Sequence, residues 1–276
     1  MSASALRWAI AFLAAPSPAG ASSTPYALDL APDVTITTTT ATLFAALMLA
    51  RETLPFSPRC LPDGPERCDP ASLGTIDRYA LRHRSKTWMR ISDVGQIAAL
   101  TLPPLLVGLD VAMTHTPTPW VDIATDAWVM LEGSLFAGLT THLLKIATSR
   151  PRPRQYDPQR YATTQQSQAS FPSGHSTAAG AGASAYAITF WLRHPRSPWR
   201  YVVLGTATAL AGGTAWARVE AGAHFPSDVA AGLAIGTFFG VLVPWLHRKE
   251  VRLSVNPIPP HPGSTVAFHL TLSGSL

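Results

Sequence analysis

Apolar residues are concentrated in six stretches, separated by polar and proline-rich connections. Their spacing predicts helices at residues 36–51, 91–109, 121–147, 176–193, 200–217 and 228–246. The sixth stretch is uncharged from Val229 to Leu246 and is long enough to cross a bilayer, whereas the first, at about 16 residues, is short for a span. We therefore expect an all-α bundle of about six core helices, embedded in a membrane or associated with one.

Small residues recur at every fourth position in the fifth and sixth predicted helices. They are Gly205, Ala209 and Gly213 in the fifth helix and Gly232, Gly236 and Gly240 in the sixth. Such stripes let helices approach closely, either in a membrane or in a tightly packed soluble bundle.

The third helix combines an apolar stripe with acidic residues. Its large apolar side chains recur at helical spacing and predict a face that packs on the core: Trp128, Leu131, Leu135 and Leu139. A carboxylate facing lipid would be costly, so Glu132 is expected either to face inward or to indicate that this helix is not exposed to lipid.

The two ends of the chain differ from the helical part. Residues 1–35 resemble a leader, with Arg7 before a short apolar stretch and an Ala-Gly-Ala sequence typical of signal cleavage. Residues 36–250 are assigned to the helical domain. Residues 251–276 alternate apolar and polar positions around a Pro/Gly turn, which predicts a β-hairpin.

The amino-acid composition is less charged than that of an ordinary soluble domain. The chain is 47% apolar and 13% charged, against about 25% charge in ordinary soluble domains. Its net charge is +5, but no basic run interleaves with aromatic residues, so a nucleic-acid partner is not expected. Cys60 and Cys68 are close enough in sequence to form a disulfide, although two free thiols fit equally well.

The first chemical motif is Lys145, followed after six residues by Arg152 and Pro153. Lys145 lies at the end of the third helix, and the prolines around Arg152 favour an extended segment. A compact ammonium and a forked guanidinium suit different oxygens of one phosphate. The neighbouring Arg150 and Arg154 are not assigned to the site.

The second motif is the tetrapeptide from Pro172 to His175, directly before an Ala/Gly-rich helix. Ser173 is a natural helix cap, and Gly174 lets the backbone approach a ligand. The free amides at a helix start bind anions, and His175 is placed there to protonate a leaving oxygen.

The third motif joins Arg218, His224 and Asp228. Four residues apart on a helix face, Asp228 can accept the Nδ1 proton of His224, which leaves Nε2 free to attack phosphorus. Asp228 can equally act as a first-turn carboxylate that interacts with the helix dipole.

Together the three motifs resemble the signature of the type 2 phosphatidic acid phosphatase / vanadium haloperoxidase superfamily, which reads K-x6-RP, PSGH and SR-x5-H-x3-D. The chain departs from it at Ala217, where the family usually has serine. The resemblance covers residues 120–246. It implies that phosphate is held by Lys145, Arg152, Ser173, Gly174 and Arg218, that His175 is the acid, and that His224 is the nucleophile oriented by Asp228.

The resulting hypothesis is a metal-independent phosphatase, without a cofactor, that forms a phosphohistidine on His224. A phosphorylated lipid, a prenyl pyrophosphate or a small phosphoester is the expected substrate. Two alternatives stay open: a vanadium-dependent haloperoxidase that holds vanadate in the same pocket, and a non-catalytic membrane protein with a relict phosphate site. The sequence does not indicate an oligomeric state.

All three motifs lie at one end of an up-down bundle. With six spans and a cytoplasmic N-terminus, that end of an inner-membrane protein would face the periplasm. The arginine-rich loop at residues 51–90 disagrees with the positive-inside rule. A soluble periplasmic protein, released after signal cleavage, is the alternative.

Overall fold

All six predicted helices form, and each begins before its predicted first residue. The computed structural model describes residues 24–50, 53, 60, 68–157, 169–249 and the backbone of two strands in the tail. The helices are α1 (Leu30–Ala50), α2 (Lys86–Thr114), α3 (Pro119–Thr148), α4 (Gly174–Arg193), α5 (Trp199–Glu220) and α6 (Pro226–Leu246). Short 3₁₀ turns occur at Pro70–Ser72, Asp77–Arg82 and Pro153–Tyr156. The predicted fold class, an all-α bundle, is confirmed.

The ends of the helices follow ordinary capping chemistry. Ser85 caps α2 by accepting a hydrogen bond from the Trp88 amide at 3.3 Å. Proline occupies the first position of α3 and of α6, where its missing N–H has no helical partner to lose. After α3, Ser149 adopts a left-handed conformation with φ of 41° and ends the helix.

The first helix is longer than predicted. It begins at Leu30 rather than residue 36 and contains 21 residues, so it is long enough for a span. By length and composition, α1, α2 and α6 are able to cross a membrane. The expectation that the first helix is too short for a comfortable span was therefore wrong.

Helix α4 occupies the centre of the bundle and packs against α2, α3, α5 and α6. The sixth-helix stripe makes the close contact between α4 and α6 possible. A Cβ on Gly236 would lie 2.1 Å from the carbonyl oxygen of Thr177, and one on Gly232 would lie 2.5 Å from the carbonyl oxygen of Ser173. The glycines of the fifth-helix stripe, Gly205 and Gly213, have nothing within 4 Å of an added Cβ. That second stripe does not serve close packing.

The buried face of α3 is not the one predicted. Leu131, assigned to the core, is 51% exposed. The buried positions are instead mostly polar or small, with Val129 and Met130 as the larger apolar ones, as follows: Asp122, Asp126, Val129, Met130, Glu132, Gly133, Ala137, Thr141 and Lys145. Glu132 faces inward as expected. A bundle whose outside meets lipid puts large apolar side chains outward and polar ones inward, which reverses the rule for soluble helices.

A buried polar group, here called the far-end cluster, lies at the end of the bundle away from the three motifs. It comprises Asp110, Asp122, Asp126, Arg193 and His194. The Arg193 Nε donates to Asp126 at 2.7 Å, and His194 Nε2 lies 2.9 Å from Asp110 Oδ1. The amide of Thr24 donates to Asp122 at 3.1 Å, so the cluster also fixes the segment before α1.

The tail contains the predicted pair of strands. β1 (Val251–Ile258) pairs antiparallel with β2 (Ala267–Gly274).

At the other end of the chain, the leader-like stretch of the first 21 residues lies outside the described residues. The described chain begins beside the end of α6, where the Ala27 amide donates to the His247 carbonyl at 2.8 Å.

Cys60 and Cys68 form a disulfide in the structure. The sequence left two possibilities open at these positions, a disulfide and a pair of free thiols. The bond closes a short loop between α1 and the first 3₁₀ turn, on the same side of the bundle as the three motifs.

Candidate active site

The start of α4 forms an open anion site. The Ser173 hydroxyl caps the helix by accepting from the Ser176 amide at 3.4 Å, and it also accepts from the Ser176 hydroxyl at 3.0 Å. The Ser173 amide donates to the Asp228 carbonyl at 3.0 Å, which fixes this turn against α6. A Cβ added to Gly174 would meet nothing within 4 Å. The glycine therefore leaves space for a ligand beside the first amides of the helix.

His224 and Asp228 form a buried pair. His224 Nδ1 lies 3.5 Å from Asp228 Oδ2, and both side chains are almost completely shielded from solvent. Burial lowers the pKa of His224 well below its ordinary value, and the charges of Arg152 and Lys145 act in the same direction. The imidazole is therefore neutral at ordinary pH, and with Nδ1 facing the carboxylate, Nε2 is the nitrogen available to a substrate.

Besides its contact with His224, the Asp228 carboxylate accepts hydrogen bonds from three other donors. Its carboxylate accepts from Arg150 Nη1 at 2.6 Å, from Ser170 Oγ at 2.5 Å and from the Phe225 amide at 3.0 Å. The last bond caps α6, so both interpretations of Asp228, as partner of His224 and as first-turn carboxylate, describe real contacts. These donors fix the plane of the carboxylate and thereby the ring that faces it.

Arg150, which was not assigned to the site from the sequence, contacts the Asp228 carboxylate at 2.6 Å. Besides its bond to Asp228, its other terminal nitrogen lies 2.7 Å from Asp77 Oδ2. Its guanidinium carbon also lies 4.4 Å from the centre of the Phe225 ring. Arg150 thus neutralises a buried carboxylate and does not point into solvent. The position of Arg150 next to the first motif could have indicated a role in the site. Its partner Asp228, however, lies 78 residues further along the chain.

Lys145 is buried at the end of α3 and ties two parts of the site together. Its ammonium donates to the Ala169 carbonyl at 2.8 Å and to the Pro172 carbonyl. The second contact is directly before the Ser173 cap. Burial, together with the charge of Arg152, lowers the pKa of Lys145 to about 7, so this side chain at the base of the α4 turn is only partly charged at neutral pH. Negative charge bound beside it would raise that pKa again.

Two guanidinium groups complete the cationic wall. Arg218 is buried, and its Nη1 lies 3.1 Å from Ser92 Oγ and 3.2 Å from Asp93 Oδ1. Burial, together with the charge of Arg218, lowers the pKa of Arg152 to about 10, so it stays cationic at neutral pH. Within the described residues, the Nε atoms of both arginines are buried without a hydrogen-bond partner. Such unpaired donors are costly unless a ligand engages them.

Asp93 is the site residue that sequence reasoning missed. Its Oδ1 lies 2.9 Å from His175 Nε2, while the same oxygen accepts from Arg218. Burial and the charge of Arg218 lower the pKa of His175 to about 4, although the contact with Asp93 raises it. Asp93 is the single charged residue between positions 91 and 109. A lone carboxylate in an apolar helix was therefore the signal that could have found it.

The eight residues singled out by sequence thus meet at one end of the bundle. Contacts within the protein link six of them in two groups. One group contains Lys145, Ser173, His224 and Asp228, and the other contains His175 and Arg218, which share the Asp93 carboxylate. The charge of Arg152 acts on the histidine of each group. Within the described residues, no three His, Cys, Asp or Glu side chains converge to hold a metal ion.

Comparison with known proteins gives one family and two relatives. Residues 126–252 match the profile described as PAP2 superfamily. A lipid A 1-phosphatase from Rhizobium johnstonii is 43% identical over 113 residues, which are 39% of this chain and 42% of that protein. A lipid A 1-phosphatase from Rhizobium etli is 43% identical over 120 residues, 42% of this chain and 47% of that protein. The chain spans less than half the length of the curated relatives it matches.

A solved structure also aligns with this chain. It is a transmembrane PAP2-type phosphatidylglycerolphosphate phosphatase from Bacillus subtilis, and it is 21% identical. The alignment covers 78% of this chain and 94% of that chain, with a TM-score of 0.46.

Proposed function

We propose that this chain, which belongs to the PAP2 superfamily, hydrolyses lipid phosphates through a phosphohistidine intermediate on His224. The observation that carries the proposal is the buried His224–Asp228 pair, which contacts the start of the helix that carries His175. A neutral imidazole with one fixed nitrogen is a nucleophile, and His175 supplies an acid.

The first step transfers the phosphoryl group to the enzyme. His224 Nε2 forms a bond to phosphorus while the bond from phosphorus to the leaving oxygen breaks. His175 gives its proton to that oxygen, so the lipid alcohol leaves neutral. The bound phosphate brings negative charge next to His175, which raises its pKa from the low value of the free site and allows it to carry that proton.

The cationic wall stabilises the transition state without a metal ion. Lys145, Arg152 and Arg218 offer positive charge to the three non-bridging oxygens, as divalent ions do in many other phosphoryl-transfer enzymes. The first amides of α4, with Ser173 and Gly174, add hydrogen bonds from the backbone side. The buried Nε atoms of Arg152 and Arg218 find partners when phosphate is bound.

The second step regenerates the enzyme. Water attacks phosphorus, the bond from phosphorus to Nε2 breaks, and the water proton passes to His175, which is left neutral by the first step. Asp228 holds the imidazole in one orientation through both steps. Arg150, Ser170 and the Phe225 amide hold Asp228 in turn.

A lipid phosphate is the proposed substrate for two reasons. Three of the helices are long and apolar enough to cross a membrane, so the site lies at the end of a membrane bundle. Both curated relatives are named lipid A 1-phosphatase. We further propose that the catalytic end faces the periplasm of an inner-membrane protein, with the far-end cluster on the cytoplasmic side.

A trapping experiment tests the mechanism. Purified protein is mixed with a ³²P-labelled lipid phosphate and quenched in alkali, which preserves phosphohistidine. Wild-type protein and His175→Ala are expected to retain label, and His224→Ala is expected to retain none. Turnover by His224→Ala equal to that of wild type would refute the mechanism, and hydrolysis of a small aryl phosphate but of no lipid would refute the substrate class.

Thiol labelling tests the orientation. A membrane-impermeant maleimide is applied to intact cells that carry either Ser227→Cys, at the catalytic end, or Arg196→Cys, at the far end. We expect labelling at position 227 only, since that position then faces outward. Labelling at position 196 alone would reverse the proposed orientation.

A further inference from the structure

A cavity of about 830 Å³ opens next to the phosphate site. Three segments form most of its wall: the turn and helix start at residues 80–90, the 3₁₀ turn and its flanking residues at 152–157, and the connection at 221–223. Arg152 lines this cavity and also belongs to the cationic wall. Met89 lines it too, and its sulfur lies 3.0 Å from Arg218 Nη1. The cavity is therefore a direct neighbour of the position of the scissile phosphate.

Positive charge dominates the walls of this cavity. Its cationic side chains are Arg84, Lys86, Arg90, Arg152 and Arg154, and its one carboxylate is Asp157. Arg84 is paired with Asp157 at 2.7 Å. Among the described residues, Lys86, Arg90 and Arg154 have no acidic partner. A concave surface with unpaired charge of one sign attracts a ligand of the opposite sign.

The motif residues do not explain these charges. The scissile phosphate already has Lys145, Arg152, Arg218 and the start of α4, and of these only Arg152 faces the cavity. Lys86 and Arg90 come from the first turns of α2, a helix able to span a membrane. At the end of such a helix, the two side chains lie at the depth of the lipid headgroups rather than of the acyl chains.

We infer that the cavity is a second anion subsite, which binds a further phosphate or carboxylate on the headgroup of the substrate. The inference rests on the proposed function, because it takes the scissile phosphate to lie beside His224. It narrows the substrate class to lipids whose headgroup carries at least two anionic groups. Arg152 lies between the two subsites and contacts both anions.

Two glycolipids that differ in one group provide the test. Both carry the scissile phosphate, and only one carries a second phosphate on the headgroup. Wild-type protein is expected to show a lower KM for the doubly phosphorylated lipid, with similar kcat. The double variant Arg90→Gln/Arg154→Gln is expected to raise that KM about tenfold, because charge-assisted hydrogen bonds are lost, and to leave the KM of the other lipid unchanged.

The matched control is Arg196→Gln, which removes an exposed cation at the far end of the bundle. A general attraction of anionic lipid to a basic protein would lower the KM of both lipids and would respond to either variant. A third lipid, with a carboxylate in place of the second phosphate, separates the two sources of negative charge. A lower KM for only one of the two anionic lipids identifies the group that the subsite selects.

The outcomes separate this inference from the proposed function. If wild-type protein hydrolyses neither lipid, the proposed function fails. If it hydrolyses both lipids with equal KM, or if the double variant changes both KM values equally, the second subsite fails and the proposed function stands.

Discussion

The two ends of the bundle use buried charge in opposite ways. At the far end, the carboxylates of Asp110, Asp122 and Asp126 outnumber their one arginine, and contacts within the protein engage all three. At the catalytic end, cations outnumber carboxylates, and the Nε atoms of Arg152 and Arg218 are buried without a hydrogen-bond partner in the described chain. At the far end, Asp122 Oδ2 and Arg193 Nη2 also lack a hydrogen bond among the described residues, although Arg193 lies 2.7 Å from Asp126. The two ends therefore differ in the sign of their excess charge, and we expect the catalytic end alone to bind an anion. Four substitutions test this difference.

Replacing the nucleophile should have the largest effect. We expect His224→Ala to lower kcat for a lipid phosphate by at least about 10³-fold, since no other imidazole can form the phosphoenzyme. The matched variant is His194→Ala, which removes the histidine that contacts Asp110 at the far end. It should reduce thermal stability but retain kcat. Loss of catalysis in both variants would erase the distinction between the two ends.

Removing the far-end arginine should mainly affect folding. Arg193→Met leaves Asp126 buried without its charge partner, which costs about 3–5 kcal/mol of unfolding free energy. The change is measured as a lower midpoint of thermal unfolding in detergent, with kcat of the folded fraction unchanged. Arg196→Met, at an exposed turn nearby, is the control and should leave the midpoint unaltered. A fall in kcat without loss of stability would contradict the assignment.

Asp93 is expected to act through His175, so its test is a pH profile. His175 must be protonated to act as acid, and kcat/KM therefore falls as pH rises through its pKa. Contact with Asp93 raises that pKa, so Asp93→Asn lowers it and moves the fall to lower pH. If the pKa of His175 falls by about one unit, kcat/KM at neutral pH should drop about tenfold.

The conservative variant Asp93→Glu serves as the control for that profile. It should restore the original fall of kcat/KM with rising pH if the carboxylate itself sets the protonation of His175. An equal loss of activity at every pH in Asp93→Asn would instead indicate a purely structural residue.

The smallest effect should come from restoring the family serine. Ala217 is fully buried in α5, directly before Arg218. A hydroxyl there can bond to a carbonyl of the preceding turn, so Ala217→Ser should change kcat/KM by no more than about threefold. A gain of several orders of magnitude would favour the relict-site hypothesis over an active phosphatase.

Local patterns in the sequence predicted most of the fold and the chemically distinctive residues. Helix positions follow from apolar runs and caps, and Ser173 caps its helix as expected. The orientation of α3 could not be predicted in the same way, because the usual rule assigns large apolar residues to the core. In a membrane bundle the outside is also apolar, so the polar residues mark the inside.

Partners of the motif residues were harder to predict than the residues themselves. Arg150 and Asp93 act on Asp228 and on His175 across 78 and 82 residues of sequence. No local spacing rule connects positions so far apart. Their pairing follows from helix packing, which a single sequence does not specify at the level of one side chain.

The glycine contact between α4 and α6 also has an evolutionary consequence. It brings backbone against backbone where Gly232 meets Ser173, so the helices that carry His175 and Asp228 keep their spacing whatever surrounds them. The cationic cavity, by contrast, is lined by residues 80–90, which run into the first turn of α2, and by residues 152–157. We therefore expect that exchanging these segments changes the preference for a headgroup and leaves the proposed reaction unchanged.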